Sequence, residues 1–223
     1  MKAKYGGKPL DFSGMSNSDE SSSRYPVVVP IRSLGANHRE RIGRHLLSLN
    51  PQDRYLRFGF VATDEQILRY VGALDFERDE IFGIYNRRLD LIAMAHLAYS
   101  VDPSLDTCAE FGVSVLESTR GRGFGARLFD RAAMHARNEG VSRMFIHALS
   151  ENTATLKIAR HAGALIERDG GESQAHLLLL PSTFDSHLNE LIEEQLAQAD
   201  YQVKSQVKKY RDRLAELLLS RRN

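Results

Sequence analysis

The chain has 223 residues, which suits one compact domain with appendages, since domains usually run to roughly 100–200 residues. Hydrophobic residues make up 42% and charged residues 26%, the mix of a globular protein and not of a disordered one. With 30 Lys and Arg against 29 Asp and Glu the formal charge is +1, so no global field attracts nucleic acid or an anionic membrane, and any anion must be held locally.

Cys108 is the only cysteine, which excludes an internal disulfide and a multi-cysteine zinc site and points to a reducing, cytoplasmic setting. No apolar stretch is long enough to span a bilayer. Residues 1–24 mix Gly, Ser, Lys and Asp without the apolar segment of a signal peptide, and read as a disordered N-terminal tail whose serines solvate a linker. The expected division is this tail, a domain over 25–181, and a C-terminal helix over 182–223.

In chain order, Val27, Val28, Val29 and Ile31 form a β-branched run broken by Pro30, the pattern of an edge strand. Two helices are predicted next. Ile42, His45, Leu46 and Leu49 have helical spacing up to Pro51, and Thr63 with Gln66 makes a capping box for a helix carrying Ile67, Leu68, Val71 and Leu74. Ile81 to Tyr85 and Leu89 to Tyr99 read as an antiparallel hairpin, and Thr107 to Leu116 as a third strand after a turn around Pro103. Along that strand Glu110, Gly112 and Ser114 face one way, open to chemistry, and Phe111, Val113 and Val115 the other.

A glycine-rich turn leads into a helix with Leu128, Phe129, Ala132, Ala133 and Ala136 on one stripe, closed by Gly140. Met144 to Leu149 is the next strand. A short helix from Asn152 turns Leu156, Ala159 and Ala162 inward, and Leu165 to Arg168 with Ala175 to Leu180 make a final hairpin. After Pro181, Phe184 to Ser220 reads as one long helix in which Leu196, Val203, Tyr210 and Leu217 recur every seven residues, interrupted by Gln206 and Arg213. That stripe fits a homodimer seam or a helix folded onto its own domain equally well.

The turn itself is Arg120, Gly121, Arg122, Gly123, Phe124, Gly125, Ala126, after a strand and opening a helix. Its glycines let backbone approach a ligand, and the free N–H groups and dipole of a helix start favour a pyrophosphate, with Arg120 and Arg122 adding charge. A plain turn needs fewer glycines. Gly121, Gly123 and Ala126 also fit a dinucleotide fingerprint, but the antiparallel hairpins around them do not suit the required successive parallel strands. No Gly-Lys-Ser/Thr ending makes a Walker loop.

Here the chain resembles the GNAT acetyltransferase superfamily, whose coenzyme A signature is Gln or Arg, two residues, Gly, one residue, Gly or Ala; Arg120, Gly123 and Gly125 fit it. The resemblance covers about Tyr25 to Leu180. It implies an α/β (α+β) fold with a mixed, mostly antiparallel sheet of six or seven strands flanked by helices, and acetyl-CoA as co-substrate. It implies that backbone amides from Gly121 to Ala126 bind the pyrophosphate, that the strand with Val113 and Val115 pairs with the pantetheine arm and parts from the next strand, and that Asn152 touches pantetheine. As read from the residues alone, Asn152 is a helix N-cap.

Glu110 is the expected general base, because an amine near pKa ~10.4 must lose a proton before it attacks. Glu110 followed by Phe111, and the segment Arg54, Tyr55, Leu56, Arg57, Phe58, are similar to bacterial protein-lysine acetyltransferases, which implies a protein lysine as acceptor, with small metabolic amines as the alternative. In that segment Tyr55 and Phe58 are expected to pack, and substrate contact by Arg54 or Arg57 is the minor reading. Many relatives place a leaving-group tyrosine seven residues after the asparagine; here that residue is Ala159, which leaves a non-catalytic acyl-CoA sensor as a rival. Cys108 shares the face of Glu110 without a neighbour in sequence to activate it, and His96 and His147 read as satisfied strand histidines. No spacing suits a metal.

Overall fold

The computed structural model describes residues 29–100 and 107–220; the tail over 1–24, Val27, Val28 and the turn around Pro103 lie outside them. Seven strands, β1 (Arg32–Ser33), β2 (Glu80–Tyr85), β3 (Leu91–Tyr99), β4 (Cys108–Val115), β5 (Arg143–Leu149), β6 (Leu165–Asp169) and β7 (Glu172–Leu178), form one sheet in the order β1-β2-β3-β4-β5-β7-β6. Only β4 and β5 run parallel. The helices are α1 (Arg39–Leu47), α2 (Pro51–Phe58), α3 (Asp64–Gly72), α4 (Phe124–Asn138), α5 (Thr153–His161) and α6 (Phe184–Ser220).

The edge strand is later and shorter than predicted: Arg32 and Ser33 pair with Gly83 and Phe82, beyond Pro30, whose ring nitrogen has no proton to give a ladder. Three α-helices, not two, precede the hairpin. Pro51 ends one helical run but opens another, because Asn50 Oδ1 accepts from the Asp53 N–H at 2.8 Å and proline at the first helical position forfeits no hydrogen bond. The segment Arg54 to Phe58 is therefore helical. α3 starts at the predicted capping box, with Gln66 Oε1 accepting from the Thr63 N–H at 2.8 Å and Thr63 Oγ1 from the Gln66 N–H at 3.3 Å.

The sheet separates two cores. On one face α4 packs Leu128, Phe129, Ala132 and Ala136 with Phe82, Phe111, Met144 and Ile146; on the other, α1 and α3 pack Ile42, Leu46, Ile67 and Val71 with Ile81, Leu91 and Met94. Each such large side chain contributes about 1.5–3 kcal/mol by leaving water. Ser114 is not on an open face as expected. It is buried, with Oγ 2.8 Å from His45 Nε2, and His45 Nδ1 is 2.9 Å from the Leu91 carbonyl. A carbonyl only accepts, so His45 donates from Nδ1 and accepts from Ser114; burial lowers its pKa to about 4 and keeps the ring neutral. Ala162 is exposed rather than inward, because α5 stops at His161 and Ala162 is its C-cap.

The first half of α6 folds back onto the domain. Arg131 of α4, only 3% exposed, pairs with Glu190 at 3.1 Å and Glu194 at 3.3 Å. His135 Nδ1 lies 2.5 Å from Glu190, Asn138 donates to the same carboxylate, and Arg32 donates to Gln198 at 2.8 Å while stacking on Tyr201. The predicted seam residues Leu196 and Val203 lie outward, 50% and 63% exposed. One face of the helix is thus docked, and the apolar stripe is a different, bare face.

Burial alone would raise the Glu190 carboxyl, but the hydrogen bonds from His135 and Asn138 and the charges of His135 and Arg131 outweigh it and hold the pKa at about 2. A depressed carboxyl contributes stability above its ordinary pKa, lost as pH falls from about 4.5 toward 2. Glu190→Gln should lower unfolding free energy at pH 7 by about 3 kcal/mol and flatten the loss between those pH values, as measured by urea denaturation.

Candidate functional site

β4 and β5 pair only at Cys108↔Arg143, Ala109↔Met144 and Glu110↔Phe145. Beyond Glu110 the two strands part, β4 staying with β3 as far as Val115 and β5 with β7 as far as Leu149. Alternate peptide groups of β4 past the fork face a gap where a strand would be, and those groups need a partner.

The gap opens on a cavity of about 740 Å³ lined by Val113, Val115, Arg120, Gly121, Gly123, Phe124, Gly125, Ala126 and Asn152, nine of the ten residues expected to bind cofactor. Arg122 is exposed and not part of this lining. Arg120 lines the cavity, but its guanidinium is ion-paired with the buried carboxylate of Asp53 on α2, so its charge is shared.

Gly121 and Gly123 both have φ +75°, a left-handed conformation that costs a side-chain-bearing residue roughly 1–2 kcal/mol. Through it the chain turns from β4 into α4. The N–H groups of Thr119, Arg120 and Arg127 go to Leu116, Glu117 and Gly123 carbonyls, whereas among the described residues no backbone carbonyl takes those of Gly121 to Ala126. These donors, at the positive end of the α4 dipole, suit a diphosphate. A Cβ on Gly125 would lie 3.1 Å from Ile158 Cδ1, so a glycine there lets α4 and α5 approach closely.

Asn152 caps α5, its Oδ1 accepting from the Thr155 N–H at 3.2 Å, and its Nδ2 donates to the Leu56 carbonyl at 3.2 Å. That second bond ties α5 to α2 across the cavity, which sequence spacing does not reveal.

At the fork Glu110 is exposed and faces a second cavity of about 650 Å³, bounded by Gly112, His147 and the β6–β7 residues Glu167, Asp169 and Glu172. Leu56, Arg57, Val113, Asn152 and Thr155 line both cavities and mark the junction. Arg57, whose substrate contact is the minor reading of its segment, lines both cavities, and Thr155, which no motif singles out, reaches them through the tertiary placement of α5. Ala159 is fully buried in the core against α4 and offers no acid to a leaving group. His96 is hydrogen-bonded at both ring nitrogens, and His147 is exposed beside Gln174. Cys108 is a free, half-buried thiol in a shallower hollow with Glu110 and Tyr99, outside both cavities.

Among the described residues no group of three His, Cys, Asp or Glu could hold a metal, and no helix is long and apolar enough to cross a membrane.

A parallel strand pair that forks beside a helix start with free amides is the arrangement of a thioester-dependent acyltransferase fold. Residues 45–164 match the profile of the Acetyltransferase (GNAT) family, and the chain belongs to that family. It carries a GNAT acetyltransferase domain, a fold that binds acetyl-CoA. No curated protein sequence matches it. Among solved structures, the GNAT domain of PAT from S. lividans is similar at 20% identity and TM-score 0.56, over 67% of this chain and 89% of that one. Spermidine N-acetyltransferase from Vibrio cholerae, in complex with CoA and spermine, is similar at 16% identity and TM-score 0.53 over 67% and 94%. Ribosomal-protein-alanine N-acetyltransferase from Brucella melitensis is similar at 14% identity and TM-score 0.53 over 67% and 99%. These likenesses define the fold.

Gly123→Val forces a β-branched residue into the left-handed region and turns the amides of the loop. Calorimetric titration with coenzyme A should show affinity reduced at least about tenfold, one lost charge-assisted contact, with thermal unfolding still cooperative.

Proposed function

We propose that the chain transfers an acetyl group from acetyl-CoA to a primary amine, with a protein lysine as first acceptor and a small metabolic amine as second, in a reducing cytoplasm that suits its lone thiol. The observation that carries this reading is the fork: Glu110 occupies the last position at which β4 pairs with β5 and lines a cavity open to an acceptor, and that cavity shares Leu56, Arg57, Val113, Asn152 and Thr155 with the cavity that has free amide donors. Amides of Gly121 to Ala126 hold the diphosphate, alternate β4 peptides around Val113 and Val115 bind the pantetheine amides as a missing strand would, and Asn152 closes the cavity over it.

The acceptor amine enters beside the carboxylates of Glu167, Asp169 and Glu172, which favour a cationic group. Glu110, directly or through one water, takes the proton, and the neutral amine attacks the thioester carbonyl beside a β4 N–H that stabilises the oxyanion. The Vibrio cholerae and Brucella melitensis enzymes are named for a small polyamine and a protein amine, which supports keeping both kinds of acceptor in this reading.

Thiol release from acetyl-CoA, followed across lysine peptides, small amines and cell extract, tests this. Glu110→Gln should lower kcat by roughly 10²–10⁴-fold with coenzyme A affinity retained. Unchanged turnover in that variant removes Glu110 from the mechanism, and coenzyme A binding without thiol release for any amine returns the chain to a non-catalytic sensor. A dinucleotide enzyme is disfavoured by the sheet, in which a single strand pair is parallel.

We also propose a homodimer through α6, with the two copies antiparallel. Leu188, Ile192, Leu196, Val203 and Val207 are exposed on the undocked side. Apart from Glu190 and Glu194, which face the domain, and the Asp200–Lys204 pair, the helix carries Asp185 and Glu193 and no Lys or Arg from 184 to 200, and Lys208, Lys209, Arg211 and Arg213 against Asp212 from 201 to 213. Antiparallel copies set each acidic half against a basic half, whereas parallel copies oppose like charges. In a Cys108→Ser background, Val203→Cys should cross-link on oxidation and Leu188→Cys should not. Cross-linking at both positions would mean a parallel pair, and a monomeric mass by light scattering would end the dimer proposal.

A further inference from the structure

At the junction of the two cavities, Arg57 is, among the described residues, the one charged residue that lines both. Its position is imposed from two directions. Below it is Gly112 of β4, where an added Cβ would come within 2.7–2.8 Å of the guanidinium carbon and both terminal nitrogens, so the guanidinium occupies the space of a missing side chain. Beside it Nη2 donates to the Tyr70 hydroxyl at 3.0 Å. That hydroxyl is 2.7 Å from His96 Nδ1, and His96 Nε2 is 3.0 Å from Asp79 Oδ2.

The direction of this chain of hydrogen bonds follows from its far end. Burial would raise the Asp79 carboxyl, but Arg78 and His96 overcome it and hold the pKa below the usual carboxylate range, so Asp79 only accepts. His96, its pKa lowered chiefly by burial, is neutral: it donates from Nε2 to Asp79 and accepts from Tyr70 at Nδ1. The Tyr70 oxygen is left to accept from Arg57. Four side chains thus form a one-way strut that ends at a cation in the cleft. Asp53 is engaged by Arg120 and Asp64 by Arg54, and although Glu110, Glu167, Asp169 and Glu172 line the same cavity as Arg57, among the described residues Arg57 makes no ion pair. A half-buried cation that is held by hydrogen bonds and makes no direct ion pair fits a charge that forms there during reaction.

We infer that Arg57 is a catalytic residue that stabilises the negative charge developing on the thioester. This rests on the acyl transfer proposed above. The amine lone pair forms the C–N bond as the carbonyl π pair moves onto oxygen; when that pair returns, the C–S bond breaks and sulfur leaves as thiolate, while the second proton of the attacking nitrogen goes to Glu110, which has by then released the first to water. Negative charge therefore sits first on oxygen and then on sulfur. Arg57 keeps its own proton and attracts both, which supplies electrostatically part of what a tyrosine acid would supply at the position of the buried Ala159.

The test is steady-state thiol release with Arg57→Gln, Arg57→Ala and Tyr70→Phe, alongside coenzyme A affinity and thermal unfolding of each. Arg57→Gln should lower kcat by about 10²-fold or more with coenzyme A affinity unchanged. Tyr70→Phe, which leaves the charge in place but frees it to move, should lose less, and it separates loss of charge from loss of fold. Added guanidinium ion should restore rate to Arg57→Ala saturably, a response that a purely structural arginine would not give. Wild-type turnover in Arg57→Gln overturns the inference. So does a loss confined to succinyl-CoA and absent with acetyl-CoA, which would make Arg57 a receptor for a donor carboxylate. A wild-type chain that releases no thiol overturns the acyl transfer itself, and is told apart from the other results because no variant is needed to see it.

Discussion

The separation of β4 from β5 after Glu110 is the constraint on which the site depends. Each strand is kept where it is by its other neighbour: β3 pairs with β4 from Ala109 to Val115, and β7 pairs with β5 from Arg143 to Leu149. Closing the fork would require each strand to move together with its neighbour, so peptide groups of β4 past Glu110 are left without a strand partner on that edge. The α4 helix start, Glu110 and the junction residues are arranged around this gap, and each has its role because of where the gap begins and ends.

The surroundings of the fork are held more by polar contacts than by oil. α2 is tied to α5 through Asn152 and to the turn before α4 through Asp53 and Arg120, so both walls of the donor cavity are fixed to each other. His45 fixes β4 from behind through Ser114. Buried polar contacts of this kind are costly when half made and specific when complete, which suits a cavity whose width must match a ligand.

The glycine-rich turn is legible in sequence because glycine spacing and a helix start are local properties, and the same is true of the capping box at Thr63 and the stripe of α4. Other features are not local. Pro51 reads as a stop until Asn50 is seen as a cap, which hides α2 and with it the placement of Arg57. Asp53 gives no sign in sequence that it neutralises Arg120. The docking of α6 escapes hydrophobic periodicity because the face that touches the domain is built from Glu190, Glu194, Gln198 and Tyr201, while the apolar positions that attract attention, Leu196 and Val203, face outward. Ala162 reads as inward only if α5 is continued one residue past its end.

The contacts between α4 and α6 bear on how the chain can be shortened. Pro181 looks like a natural place to cut, yet a chain ended there would leave the Arg131 guanidinium in contact with Phe82 and without either of its carboxylates. Trimming after Lys204, whose ammonium reaches the Tyr85 carbonyl at 3.2 Å, keeps those carboxylates and the last of the contacts that bind the helix to the sheet. The catalytic unit in a physical sense therefore extends some twenty residues past the point where the amino-acid pattern changes.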